Sequence, residues 1–97
     1  MKNIKIIKNV ISENRKLLEE DYKVKVIGIF GSYARGDIRK KSDLDILVEF
    51  SEIPDIFKFM ELEGILSNLI GLKVDLVTRK ALKPLIKDEI LKETIYI

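Results

Sequence analysis

Apolar positions recur at helical spacing from the start of the chain. Ile4, Ile7, Val10-Ile11 and Leu17-Leu18 predict one amphipathic helix from residue 3 to about residue 21. Three apolar runs then read as strands: Val24 to Phe30, Leu44 to Phe50, and Leu72 to Thr78. Between the first two, Gly31-Ser32-Tyr33-Ala34-Arg35-Gly36 predicts a glycine turn followed by a short helix or loop. Pro54 and Asp55 open a further helix, with Ile56, Phe59-Met60, Leu66 and Leu69-Ile70 as its stripe and Gly71 at its end. Pro84 suits a first helical turn, and Leu85-Ile86, Ile90-Leu91 and Ile95 give a last helix its apolar face. The order αβ(α)βαβα predicts an α/β (α+β) fold: a small, mixed, three- to four-stranded sheet backed by helices.

Composition narrows what such a fold can do. A chain of 97 residues has room for a single domain, 1–97. It buries roughly two-thirds of its unfolded surface, enough for a small core. No internal repeat, low-complexity segment or linker interrupts it. The net charge of +2 is a near-balance of 18 basic and 16 acidic residues, which argues against a general nucleic-acid binder. No apolar run approaches the length of about 18 residues that a membrane span needs, and the N-terminus lacks a signal-like apolar stretch. The expectation is a cytoplasmic protein without a membrane partner.

Candidate chemistry lies in one spacing: Gly31-Ser32, ten residues, then Asp43-Leu44-Asp45. Side chains on a strand alternate, so carboxylates at i and i+2 point to the same face while Leu44 points into a core. Asp43 and Asp45 can therefore grip one hard cation together. Mg²⁺ takes octahedral oxygen coordination from one or two carboxylates plus substrate phosphates. Two such ions can stabilise the attacking and leaving oxygens of an in-line displacement. Gly31 lets backbone approach closely, and Ser32 with the following amides opens a helix N-terminus suited to an anion. The chain has no Cys and no His, which removes thiolate sites and the usual general base. Catalysis would have to run on carboxylates, in agreement with Mg²⁺ or Mn²⁺ rather than zinc.

Gly31-Ser32-x10-Asp43-x-Asp45 resembles the signature of the polymerase-β-type nucleotidyltransferase superfamily. The fuller string GSYARGDIRKKSDLDILVEF resembles its smallest branch, the minimal nucleotidyltransferases, over Val24 to about Val77. That branch includes MntA-type antitoxins, protein adenylyltransferases that work beside an HEPN-domain toxin. The resemblance implies the nucleotidyltransferase catalytic-core fold, ATP as substrate, and a third carboxylate on a later strand. Asp75, the only acidic residue in Lys73-Val74-Asp75-Leu76-Val77, supplies it. By the same implication Gly31 and Ser32 hold the β- and γ-phosphates, and Asp43, Asp45 and Asp75 bind two metal ions. Asp75 then sits nearest the attacking hydroxyl.

Each element also has a plainer explanation. A Gly-Ser pair after a strand is a common turn, Asp-x-Asp is frequent in solvated loops, and Asp75 could be a solvent-facing strand residue. Their conjunction favours the catalytic reading. Arg35 fits either a phosphate clamp or a surface ion pair. Arg39-Lys40-Lys41 reads as a solvated loop rather than a substrate clamp, and Tyr33 as either a nucleotide contact or a packing residue. The leading function is transfer of AMP from ATP to a hydroxyl, a Tyr by the resemblance, of an HEPN-type toxin. The alternatives are a non-catalytic antitoxin that neutralises by binding, or a nucleotidyltransferase for a small molecule or RNA. Apolar residues in the terminal helices, ending in Leu91 and Ile95-Tyr96-Ile97, lead to the expectation of an uncovered association surface for the toxin or a homodimer.

Overall fold

A computed structural model describes residues 3–37 and 43–97 of the chain. The basic run Arg39-Lys40-Lys41 lies outside the described residues. The helices are α1 (Ile4–Glu13), α2 (Arg15–Tyr22), α3 (Ser32–Arg35), α4 (Ile56–Ile70) and α5 (Pro84–Glu93). The strands are β1 (Val24–Phe30), β2 (Leu44–Phe50), β3 (Val74–Thr78) and β4 (Ile95–Tyr96), and a 3-10 turn (Arg79–Ala81) precedes α5. The sheet runs β3-β2-β1-β4 and is mixed. β2 pairs parallel with β3, while β1 pairs antiparallel with both β2 and β4. This is the expected α/β architecture.

Two of the expected elements take a different form. The first helix is interrupted at Asn14, whose side-chain amide donates to the Val10 carbonyl at 2.8 Å and whose own N–H reaches back to Ile11 and Ser12. A short polar side chain that competes for backbone groups breaks the helix without breaking its stripe. Ile7, Ile11, Leu18 and Tyr22 still all reach the core. Ile95 is not part of the last helix. Thr94 turns extended (φ −64°, ψ 129°) and its hydroxyl donates to the Ile90 carbonyl at 2.6 Å, closing α5. Ile95 and Tyr96 then pair with Ile29 and Gly28. Gly28 makes that pairing possible, since a Cβ there would stand 2.5 Å from Cγ2 of Thr94.

The two faces of the sheet have different duties. Leu44, Ile46, Val48, Val74 and Leu76 point to one face and pack with Ile7, Ile11, Leu62, Leu66 and Ile70 of α1 and α4. On the other face Phe30 and Leu47 pack with Leu82 in a smaller cluster, which Val77 and α5 residues Ile90 and Leu91 flank. The terminal apolar residues meet that expectation only in part: Leu91 and Ile97 fold back onto the two clusters, while Tyr96 stays half exposed. Other large exposed hydrophobic side chains include Ile53, Ile56, Phe57 and Met60, and Leu85 and Ile86 where α5 begins. Among the described residues no helix is long and apolar enough to cross a membrane.

Candidate active site

The site is built where the sheet turns its second face away from the main core. Leu44 and Ile46 are fully buried on the helix-covered side, so the alternate positions Asp43 and Asp45 emerge on the other. In the parallel ladder Asp45 stands directly opposite Asp75, and in the antiparallel ladder it stands opposite Phe30, the last residue of β1. Asp43, Asp45 and Asp75 therefore share one face, with Asp45 between β1 and β3. Gly31 follows Phe30 and adopts φ 75°, ψ −150°. Its missing side chain is used: a Cβ at Gly31 would lie 2.1 Å from Oδ2 of Asp45. The turn and the carboxylate are in direct apposition.

Charge is concentrated at this point. Burial first, then the neighbouring Asp75 and Asp43 carboxylates, push Asp45 up from 3.8 to about 6; Arg35 pulls the other way and Glu93 adds to the rise. Asp43 has an exposed partner, with Nζ of Lys73 3.8 Å from its Oδ2, a contact that water screens heavily. The donors at this face are carboxylate oxygens, the type a hard divalent cation takes. A cation there would also relieve the like-charge crowding at Asp45, so the residues fit the ion in kind. Among the described residues no three ligating side chains are gathered closely enough to enclose one ion in this conformation.

The glycine turn leads into α3, a single turn from Ser32 to Arg35, too short to carry much of a helix dipole. Ser32 is half-buried at its start, and Tyr33 is buried in the main core, a packing position. Arg35 is ion-paired, but at the site rather than on remote surface. Its Nη1 lies 3.3 Å from both carboxylate oxygens of Glu93. Oε1 of Glu93 also accepts the Gly31 N–H at 3.1 Å. Glu93 is the residue that sequence reasoning missed. It joins the site across 62 positions of chain, and no local pattern marks it.

Residues 11–97 match the nucleotidyltransferase domain family. A Methanocaldococcus jannaschii protein that bears the provisional name of protein adenylyltransferase is 55% identical over 98 residues, covering 100% of both chains. Protein adenylyltransferase MntA of Thermococcus cleftensis is 44% identical over 97 residues, covering 100% of this chain and 98% of its own. The solved structure of a minimal nucleotidyltransferase superposes with a TM-score of 0.73 at 31% identity, covering 92% of this chain and 93% of that one. A chain in the structure of tri-AMPylated HEPN toxin from Shewanella oneidensis, in complex with MNT antitoxin, gives a TM-score of 0.66. At 23% identity, with 93% of this chain and 70% of that one covered, this second likeness speaks for the fold alone. A matching family domain over most of the chain, close relatives along its whole length and the architecture of a minimal nucleotidyltransferase agree: this chain belongs to the nucleotidyltransferase family.

Proposed function

We propose that this chain is a single-domain, metal-dependent protein adenylyltransferase, acting in the cytoplasm as the antitoxin of an HEPN toxin pair. The observation that carries this reading is the facing of Asp45 and Asp75 across β2 and β3, with Asp43 on the same face and the Gly31 turn against Asp45. Relatives named as protein adenylyltransferases along the full chain support the reaction class. The choice of partner is an analogy drawn from the toxin–antitoxin complex whose chain shares this fold.

In this reading the Gly31 amide, Ser32 and Arg35 bind the phosphate tail of ATP and leave the α-phosphorus facing the carboxylates. Asp43, Asp45 and Asp75 would hold the divalent ions, Mg²⁺ or Mn²⁺, which when bound neutralise charge on the triphosphate and the leaving group. The acceptor oxygen, a tyrosyl hydroxyl in the toxin, bonds to the α-phosphorus. The bond from that phosphorus to the α–β bridging oxygen breaks, and pyrophosphate departs. The hydroxyl proton passes to the Asp75 carboxylate, which is the most exposed of the three to an incoming acceptor. Arg35 stays with the departing pyrophosphate, for which its planar guanidinium is suited.

A purely binding antitoxin has no use for a half-buried carboxylate, Asp45, set beside two others and raised to about 6 by burial first and then by Asp75 and Asp43. Incubation with the co-encoded HEPN partner, ATP and Mg²⁺, followed by intact-mass measurement, separates the readings. Addition of AMP units to the partner that stops on chelation of the metal is expected. Neutralisation of the partner with no added mass overturns the enzymatic reading.

A further inference from the structure

Glu93 occupies an unusual place for an acidic residue. It is the last residue of α5, yet its carboxylate lies against the turn after β1. One oxygen accepts the Gly31 N–H at 3.1 Å, and both lie 3.3 Å from Nη1 of Arg35. An amide hydrogen and a guanidinium edge presented to a pair of anionic oxygens is equally the recognition pattern of a phosphate group. These are the two groups that the reading above gives to the phosphate tail of ATP. The Glu93 side chain is 25% exposed and that of Arg35 is 54% exposed, so neither is locked beneath other structure.

We propose that Glu93 is a phosphate surrogate: its carboxylate holds the Gly31–Arg35 anion seat when nucleotide is absent and must leave before a triphosphate can enter. The inference rests on the reading that this seat takes phosphate. A carboxylate and a phosphate cannot both accept the single Gly31 N–H in line, and two anions on one guanidinium repel. The exchange needs no refolding. The backbone beside Glu93 is anchored by the Thr94 N–H on the Ile90 carbonyl at 3.0 Å and by β4 on β1, while the side chain can rotate toward solvent. In place, Glu93 keeps the Arg35 guanidinium aimed at the seat and so acts as a positioning residue. Out of place, it releases an aligned arginine to the incoming anion. Glu93 thereby lowers nucleotide affinity and keeps the seat formed.

The test is calorimetric titration of a non-hydrolysable ATP analogue with Mg²⁺ into the full chain, with no partner and no turnover. Glu93→Ala is expected to bind about fivefold more tightly than wild type, the size of one like-charge contact in a hydrated site. Glu93→Gln removes the charge but retains an acceptor for Gly31, and should tighten binding by a smaller factor. Arg35→Ala should weaken binding and shrink the gain from Glu93→Ala in the double variant, because the seat they contest is gone. A residue that merely supported the fold would weaken binding when removed, never strengthen it. If Glu93→Ala fails to fold, Glu93→Gln carries the same sign. Wild-type binding with no tightening in the folded variants overturns the surrogate role alone. No binding by wild type or by any variant overturns the phosphate seat, and the surrogate with it.

Discussion

The carboxylate of Asp45 lies against the α-carbon of Gly31, so close that any Cβ at Gly31 would stand 2.1 Å from Oδ2. This one apposition ties the turn proposed to bind phosphate to the proposed metal-binding face. It also explains why the residue after β1 is a glycine twice over, since φ 75° with ψ −150° is a conformation that only glycine adopts without strain.

Gly31→Ala should therefore damage the site out of proportion to its size. Backbone strain costs about 1–3 kcal/mol, and the Asp45 carboxylate must also swing away. We expect a lower thermal midpoint together with loss of nucleotide binding. A variant with wild-type binding would show that the turn and Asp45 are independent.

Asp45 gives the stability of the metal-free protein a defined pH dependence. Its folded-state value, raised from 3.8 to about 6, means that the native state holds a proton which the unfolded chain has already released. The contribution to stability is present below about pH 4 and is lost as the pH rises through 6, by about 1 kcal/mol once hydration of this half-buried group is allowed for. Asp45→Asn should abolish that slope, and at pH 7 the variant should melt above wild type while transferring no AMP. Thermal melts from pH 4 to 8, with chelator present, check the sign; a wild type that gains stability from pH 4 to 7 through this group contradicts it.

Ser32→Ala should be a milder lesion than any of the aspartate changes. One hydroxyl to phosphate contributes about 1–2 kcal/mol, whereas loss of a metal ligand should cut turnover by more than about 100-fold. Comparison of kcat/KM for ATP across Ser32→Ala, Asp43→Asn and Asp75→Asn gives the ranking. A larger defect in Ser32→Ala would reverse the proposed division of labour.

Leu47→Ala probes the support beneath the site. Leu47 is fully buried against Phe30 and Leu82, in the small cluster that Ile90 and Leu91 of α5 flank. Truncation should cost about 2–5 kcal/mol. Because α5 carries Glu93, the Gly31 amide should exchange its hydrogen faster in this variant than in wild type. Hydrogen exchange at Gly31 that is unchanged in a folded Leu47→Ala protein would uncouple α5 from the turn.

The shared face of Asp43 and Asp45 was legible because it depends on local rules, whereas Asp75 entered through the family resemblance. The apolar runs at 24–30 and 44–50 are bounded by charge and glycine and match β1 and β2 to the residue. Alternation along β2 then puts Asp43 and Asp45 on the side away from Leu44. The rest depends on contacts remote in sequence. Ile95 continues the helical spacing of Ile90-Leu91, and only pairing with Gly28 and Ile29 draws the segment into a strand. Asn14 sits inside an unbroken apolar stripe, so the break between α1 and α2 is invisible to periodicity. Glu93 looks like any solvated residue near a helix end until β4 carries it to the Gly31 turn.

In the proposed reaction Asp43, Asp45 and Asp75 drive transfer of the α-phosphoryl group with its nucleoside onto a protein hydroxyl. Parallel reactions with ATP labelled in the α- or the γ-phosphate, with Mg²⁺ and the HEPN partner, test it most directly. The α-label should enter the partner, the γ-label should leave as pyrophosphate, and Asp45→Asn should transfer neither. A γ-label on the partner, or α-label transferred undiminished by Asp45→Asn, would rule out AMP transfer by these carboxylates.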